Sequence, residues 1–255
     1  MEKRSPIACM SANVLKWIAI VSMLIDHIAA STLHCLLVDG IVTQKYWLTL
    51  YYGMRLVGRI AFPIFVFFLV EGFFQTHNRL KYAVRLAIFT LVSEVPFDMA
   101  FHGTCMDWSG QNVGLELMLA FFMLCVKQKL RELRRDSIRA GGVCEKFGKW
   151  ELAFEIAMSL PIFVLFALLG RFCRADYRYG GIWLAYVLYW MKGYPIAQPV
   201  CGAVAFALYE PTGIVGGLLP VFYNGERGKQ WKYFFYIFYP THLLILGLIR
   251  ILLLE

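Results

Sequence analysis

The stretch from Leu15 to Ala30, LKWIAIVSMLIDHIAA, is long and apolar enough to enter a bilayer, yet it carries Asp26 and His27 side by side. An acid beside an imidazole in hydrocarbon is costly, so the fold must give the pair either a partner or a chemical task. Backbone amides in lipid are satisfied within a helix, and the segment is therefore expected to be helical.

Eight more apolar runs follow, near Leu48–Phe74, Tyr82–Ala100, Val113–Val126, Trp150–Leu169, Tyr179–Met191, Ile196–Leu208, Gly213–Phe222 and Tyr233–Leu254. With 60% hydrophobic and 16% charged residues, the chain exceeds what a water-soluble fold can bury. The expected fold is all-α: one polytopic membrane bundle over residues 1–255, with about nine spanning segments, several of them short or broken. The formal charge of +8 sits in a few loops: Lys3 and Arg4, Arg79 and Lys81, Lys127 to Lys149, and Arg227 to Lys232. That pattern fits the positive-inside rule better than nucleic-acid binding, and it puts the N-terminus in the cytoplasm and the chain in the inner (cytoplasmic) membrane. Arg171, Arg174 and Arg178 break the pattern, since they fall on the outer side. The seven cysteines show neither CxxC nor Cys/His metal spacing, so they read as free thiols and no metal site is expected.

Further polar residues lie inside the apolar runs. Arg55 and Arg59 are four apart and share a helix face, with Pro63 bending the helix beside Arg59. Glu94 and Asp98 share a face around Pro96, and His242 follows Pro240 in the last run. At a rise of 1.5 Å per residue, His27, Arg59 and Glu94 lie roughly 17–22 Å from the cytoplasmic ends, and His242 roughly 14 Å. Four groups from four helices thus meet near one level, as a shared polar cavity requires. Structural readings stand beside this one. Arg59 with Glu94 and Arg55 with Asp98 are candidate buried ion pairs, and His242 is a candidate cap for the kink at Pro240. Adjacent helical residues point about 100° apart, so Asp26 is expected to pair with an arginine of the second run, leaving His27 to titrate.

The segments LKWIAIVSMLIDHIA, GRIAFPIFVFFLVEGF, SEVPFDMAF, QNV and YPTHLLIL, with Thr76, Asn78, Lys81, Tyr82, Arg85 and Leu86 between them, resemble the TraX family. That family is named for the conjugative-plasmid protein that N-acetylates a pilin subunit. The resemblance covers nearly the whole chain and is strongest from Leu15 to Val113. It implies a membrane acetyltransferase that uses acetyl-CoA as co-substrate. Its acceptor would be an amine or hydroxyl on a peptide, a pilin or a small molecule. Asp26 and His27 match the family's D-H pair, Arg59 its G-R-I-A-F-P arginine and Glu71 its V-E-G-F glutamate. Glu94 and Asp98 match S-E-x-P-F-D, Asn112 matches Q-N-V and His242 matches Y-P-x-H. After Asn112 and Val113 the family continues with aromatic residues and a Thr, where this chain reads Gly114-Leu115-Glu116.

Acetyl transfer needs a base, donors for the oxyanion and cations for the CoA phosphates. His27 is the candidate base, Asp26, Glu94 and His242 are further candidate catalytic residues, and Arg59 or Asn112 is the candidate oxyanion donor. Lys16, Arg55, Arg79, Lys81 and Arg85 are the candidate CoA contacts. A proton-coupled transporter would use the same buried Asp, Glu, Arg and His residues, and that alternative stays open at this stage. In the outer loops, Asp98, Asp107 and Glu116 are expected to attract a cationic acceptor.

Overall fold

The structure, a computed structural model, describes residues 7–42, 45–140, 150–229 and 233–254. Lys3, Arg4, Cys144, Lys146, Lys149 and Lys232 lie outside the described residues. Among the described residues there is no strand, only two isolated bridges, Met10 with Tyr223 and Gln111 with Ala175.

Every apolar run seen in the sequence is a helical element. The first is α1 (Ala12–Ile28), which passes through a π-helical turn (Ala29–Leu33) into α2 (His34–Val38). Ser11 caps α1 by accepting from the Val14 amide, which satisfies one of the donors a helix start leaves open. The second run is α3 (Lys45–Gly58) and α4 (Ala61–Gln75), followed by α5 (Arg79–Phe101), α6 (Val113–Ala140) and α7 (Trp150–Phe172). Two short helices come next, α8 (Gly180–Trp190) and α9 (Ala197–Ala207). The chain then makes 3₁₀ turns (Pro211–Gly213 and Leu219–Phe222) around α10 (Ile214–Leu218) and ends in α11 (Phe234–Leu254).

Among the described residues, four helical stretches are long and apolar enough to cross a membrane: Ala12–Val38, Lys45–Gln75, Phe154–Phe172 and Phe234–Leu253. The expected number of about nine is therefore not met on length and composition. Charge and length explain the difference. The helix α5 carries Arg79, Lys81, Arg85, Glu94 and Asp98, the second half of α6 is charged, and α8 and α9 have 11 residues each, against about 20 for a span. Much of α8 is buried, including Ile182, Leu184, Ala185 and Leu188, which pack into a core shared with α4 and α6. A second core joins α1, α4, α5 and α11 around Leu15, Ile64, Phe97 and Leu243.

The backbone ties elements together at two ends. At one, Cys9 and Met10 donate to Phe222 O, Ala12 donates to Glu226 O, Arg79 pairs with Glu132, and Lys192 pairs with Glu71 at 2.8 Å. At the other, Gln111 donates to Arg174 O, Arg174 to Trp108 O, and Arg250 to Ala100 O. The bend expected beside Arg59 is a break: the helix stops at Gly58 and restarts at Ala61, with Pro63 in the new first turn. Gly216 of α10 lies against this break, so close that a Cβ there would sit 2.3 Å from Ile60 O. The irregular backbone is thus covered by protein, the condition under which such a break survives in a membrane.

Candidate functional site

Asp26 and Arg55 form an ion pair at 2.7 Å between α1 and α3, as the sequence led one to expect for an arginine of the second run. Gly58 makes room for it, because a Cβ there would lie 2.2 Å from the Asp26 side chain. The other carboxylate oxygen of Asp26 is buried without a partner among the described residues. Nearby, Ser22 donates to Val57 O at 2.9 Å and holds α1 against α3.

His27 makes its contact elsewhere. Its Nδ1 lies 2.7 Å from Nε2 of His242 on α11, and His242 Nδ1 lies 2.7 Å from Phe238 O. A carbonyl only accepts, so His242 carries its proton on Nδ1 and its Nε2 is an acceptor. His27 must then donate from Nδ1, which leaves the Nε2 lone pair of His27 free. His242 is thus more than a cap for the Pro240 kink: it fixes the tautomer of His27. Phe101 and Tyr239 pack edge-on against the His27 ring and hold its plane.

His27 opens onto a cavity of about 230 Å³, also lined by Asp26, Arg55, Arg59, Phe62, Asp176, Tyr177 and Tyr239. Arg59 donates to the Tyr177 hydroxyl at 3.2 Å and lies 3.7 Å from Glu210. Tyr177 stacks on Phe62 at 3.9 Å, nearly parallel. Asp176 and Tyr177 come from the loop between α7 and α8, and sequence reasoning missed both. Their only advance signal was the run of arginines around them, which sat on the wrong side for topology. Two of these, Arg174 and Arg178, adopt positive φ of 55° and 54°, a backbone state that non-glycine residues rarely take. Glu116, fully buried, accepts from the Tyr177 amide at 2.8 Å and the Gly181 amide at 2.6 Å. The expectation that Glu116 attracts ligand from an outer loop is thus corrected. It lies one turn inside α6 and braces this loop. Asp98 is likewise buried, accepting from the Asp107 amide and lying 3.3 Å from His102, and it is not a surface attractor.

A second cavity of about 190 Å³ adjoins the first and shares Met23, Phe65, Val113 and Tyr239 with it. Its walls are aromatic and aliphatic, with Lys16, Tyr82 and Tyr236 as polar members. Of the expected CoA contacts, Lys16 lines this cavity over the Phe68 and Phe235 rings, and Arg85 hydrogen-bonds Tyr236. Arg79 pairs with Glu132 and Lys81 is exposed, while Arg55 belongs to the first cavity.

Glu94 and Asn112 line neither cavity. The Asn112 side chain donates to Glu94 and to Thr90 O, and its carbonyl accepts from the Gly114 amide. They pin the start of α6 to α5 and so place Val113 between the cavities. The candidate ion pairs Arg59–Glu94 and Arg55–Asp98 are not formed, because each acid is taken by a nearer donor. Glu71 is likewise neutralised by Lys192. Six cysteines, at 9, 35, 105, 125, 173 and 201, are free thiols. Among the described residues, no three His, Cys, Asp or Glu residues are grouped as a metal site would require.

A probable fimbrial assembly protein, FimC of serogroup H1, from Dichelobacter nodosus, is 28% identical over 92% of this chain and 94% of its own length. No solved structure matches. The sequence profile of the TraX protein matches residues 11–250, the span that contains both cavities and the histidine pair, and the chain belongs to the TraX family.

Proposed function

We propose that this chain is a membrane acetyltransferase, moving an acetyl group from acetyl-CoA to an amine or hydroxyl acceptor. The observation that carries this reading is the hydrogen-bonded pair His27–His242, which leaves one unprotonated ring nitrogen in a cavity lined by two arginines. Such a nitrogen suits removal of a proton from an attacking amine or hydroxyl. The second proton position, on Nδ1, is held by His242, so the base cannot turn away. Arg59 and the Tyr177 hydroxyl, joined to one another, provide donors for a developing oxyanion. Asp26 and Arg55 neutralise each other and hold α1 to α3, a role of position rather than proton transfer.

The adjoining cavity gives the thioester a route. Its narrow aromatic walls suit an extended arm bearing amides, and Lys16 and Arg85 lie on the side where Arg79 and Lys81 also gather. Counting from Lys16 to His27 along α1 gives roughly 17 Å at 1.5 Å per residue, a distance the pantetheine arm of CoA would have to bridge. We assign this basic end to the cytoplasm of the inner membrane, with the N-terminus inside. With a relative named for fimbrial assembly, we take the acceptor to be a fimbrial or pilin subunit that offers its amino terminus.

The test is to incubate the purified protein with radiolabelled acetyl-CoA and a peptide bearing a free amino terminus. Label should reach the peptide, and an N-terminally blocked peptide should stay unlabelled. Exchange of protons across vesicles without any acyl transfer would favour a transporter instead.

A further inference from the structure

The acidic groups around the first cavity are not equivalent. Two guanidiniums, Arg55 and Arg59, face three carboxylates: Asp26, Glu210 and Asp176. Asp26 is bound to Arg55 at 2.7 Å, and Glu210 is bound to Arg59 and to the Thr212 hydroxyl. Asp176 is within the field of both arginines, yet its carboxylate makes no hydrogen bond or ion pair among the described residues. It is accessible, and the space it opens into is the cavity that His27 lines. Asp176 is thus the one acid of the three with no side-chain partner among the described residues, and burial pushes its carboxyl up against the pull of the two arginines.

The chain goes to some length to put it there. Asp176 is flanked by the two positive-φ arginines, Arg174 and Arg178. Its loop is held from below by Glu116 through the Tyr177 and Gly181 amides, and from the side by Gln111 donating to Arg174 O at 3.0 Å. Strained backbone held by this many contacts is typical of a ligand-binding segment. The same cavity is lined by Phe62, Phe65, Phe97 and Phe101, and aromatic rings tolerate a cation better than an anion. A free carboxylate in an aromatic chamber is suited to a primary ammonium.

We propose that Asp176 is the anchor for the acceptor's ammonium group, holding the amine where the free nitrogen of His27 can reach it. This rests on the acetyl-transfer reading for the identity of the ligand. The ammonium gives one proton to the Asp176 carboxylate and becomes a neutral amine. The amine nitrogen bonds to the thioester carbonyl carbon, and the carbonyl electron pair moves onto oxygen beside Arg59 and Tyr177. His27 Nε2 takes the second nitrogen proton. The C–S bond then breaks as the carbonyl reforms, and the departing thiolate takes that proton from His27. The products are amide and free CoA thiol, and Asp176 releases its proton to water in the cavity. A hydroxyl acceptor brings no cation, so it gains nothing from Asp176.

The experiment compares wild type, Asp176→Asn and Asp176→Glu with three probes: a tetrapeptide with a free amino terminus, its N-acetylated twin, and a twin whose terminal amine is a hydroxyl. Transfer kinetics are measured with acetyl-CoA, and thermal stabilisation by each peptide is measured without it. Asp176→Asn should raise KM for the free-amine peptide about tenfold or more, the loss expected for one charged contact. KM for acetyl-CoA and for the hydroxyl twin should stay within about twofold, and Asp176→Glu should recover part of the loss. An unchanged amine KM overturns the anchor, and so does an equal rise for the hydroxyl twin. Stabilisation by the free-amine peptide, present in wild type and lost in Asp176→Asn, together with no transfer at all, would retain the anchor and remove the acetyltransferase reading. Equal stabilisation by free and acetylated peptides in wild type overturns the anchor whatever the kinetics show.

Discussion

The usable lone pair on His27 is set by a carbonyl two contacts away: Phe238 O fixes His242, and His242 fixes His27. The two histidines therefore have unequal roles. His27→Ala is expected to lower acetyl transfer by about 100- to 10,000-fold with CoA-dependent thermal stabilisation intact, since an apolar side chain is easily buried. His242→Ala keeps the base and loses only its orientation, so its defect should be at least roughly tenfold smaller. Equal defects would make the pair a single unit. Gly58 gives a second residue-level test. Its Cβ would overlap Asp26, so Gly58→Ala should cost about 2 kcal/mol and break the Asp26–Arg55 pair, read as a lower unfolding midpoint in detergent. Much of this was legible beforehand. Asp26, His27, Arg55 and Arg59 stand out because charge inside an apolar run is a local property of sequence. Their partners were legible only where spacing constrains them: an arginine for Asp26 was foreseeable, whereas the acids assigned to Arg55 and Arg59 were not, because nearer donors compete for Glu94 and Asp98.

Among elements, the loop between α7 and α8 was the least legible. No periodicity marks it, and the two residues it delivers to the cavity have no motif. Its support was visible but misplaced, since Glu116 was read as part of an outer surface although it lies within the first turn of α6 and faces inward. Glu116→Gln keeps one acceptor oxygen and points an amide at the other backbone donor. It should cost about 1–3 kcal/mol and weaken acceptor binding more than CoA binding, measurable as a split between the two KM values. Unaltered acceptor KM in a destabilised variant would reduce Glu116 to a folding residue. The irregularity between α3 and α4 was legible as a bend, because Pro63 removes a donor wherever it sits, but not as the full break that separates them.

For the whole molecule, apolar length was legible for every helix, since burial from water acts on each run separately. Which runs are long and apolar enough to cross a membrane depends on charge and length in the finished helices, and among the described residues four qualify. The two adjoining cavities share a wall of Met23, Phe65, Val113 and Tyr239, and the proposed transfer gains a direct test if donor and acceptor are supplied from opposite faces. In oriented vesicles, acetyl-CoA supplied on the basic side should label an amine peptide confined to the other. Product formed only when both substrates share the basic side would leave a one-sided enzyme. The histidine contact also joins residues 215 positions apart, from the first helix and the last. Asp26 finds Arg55 only 29 residues further on, so that pair needs no more than α1 and α3 in place. The His27 contact, by contrast, needs α1 and α11 packed together, with every other helix lying between them in sequence. Removing α11 would therefore cost the site twice, taking away the acceptor for His27 Nδ1 and opening the core that Leu243 fills beside Leu15.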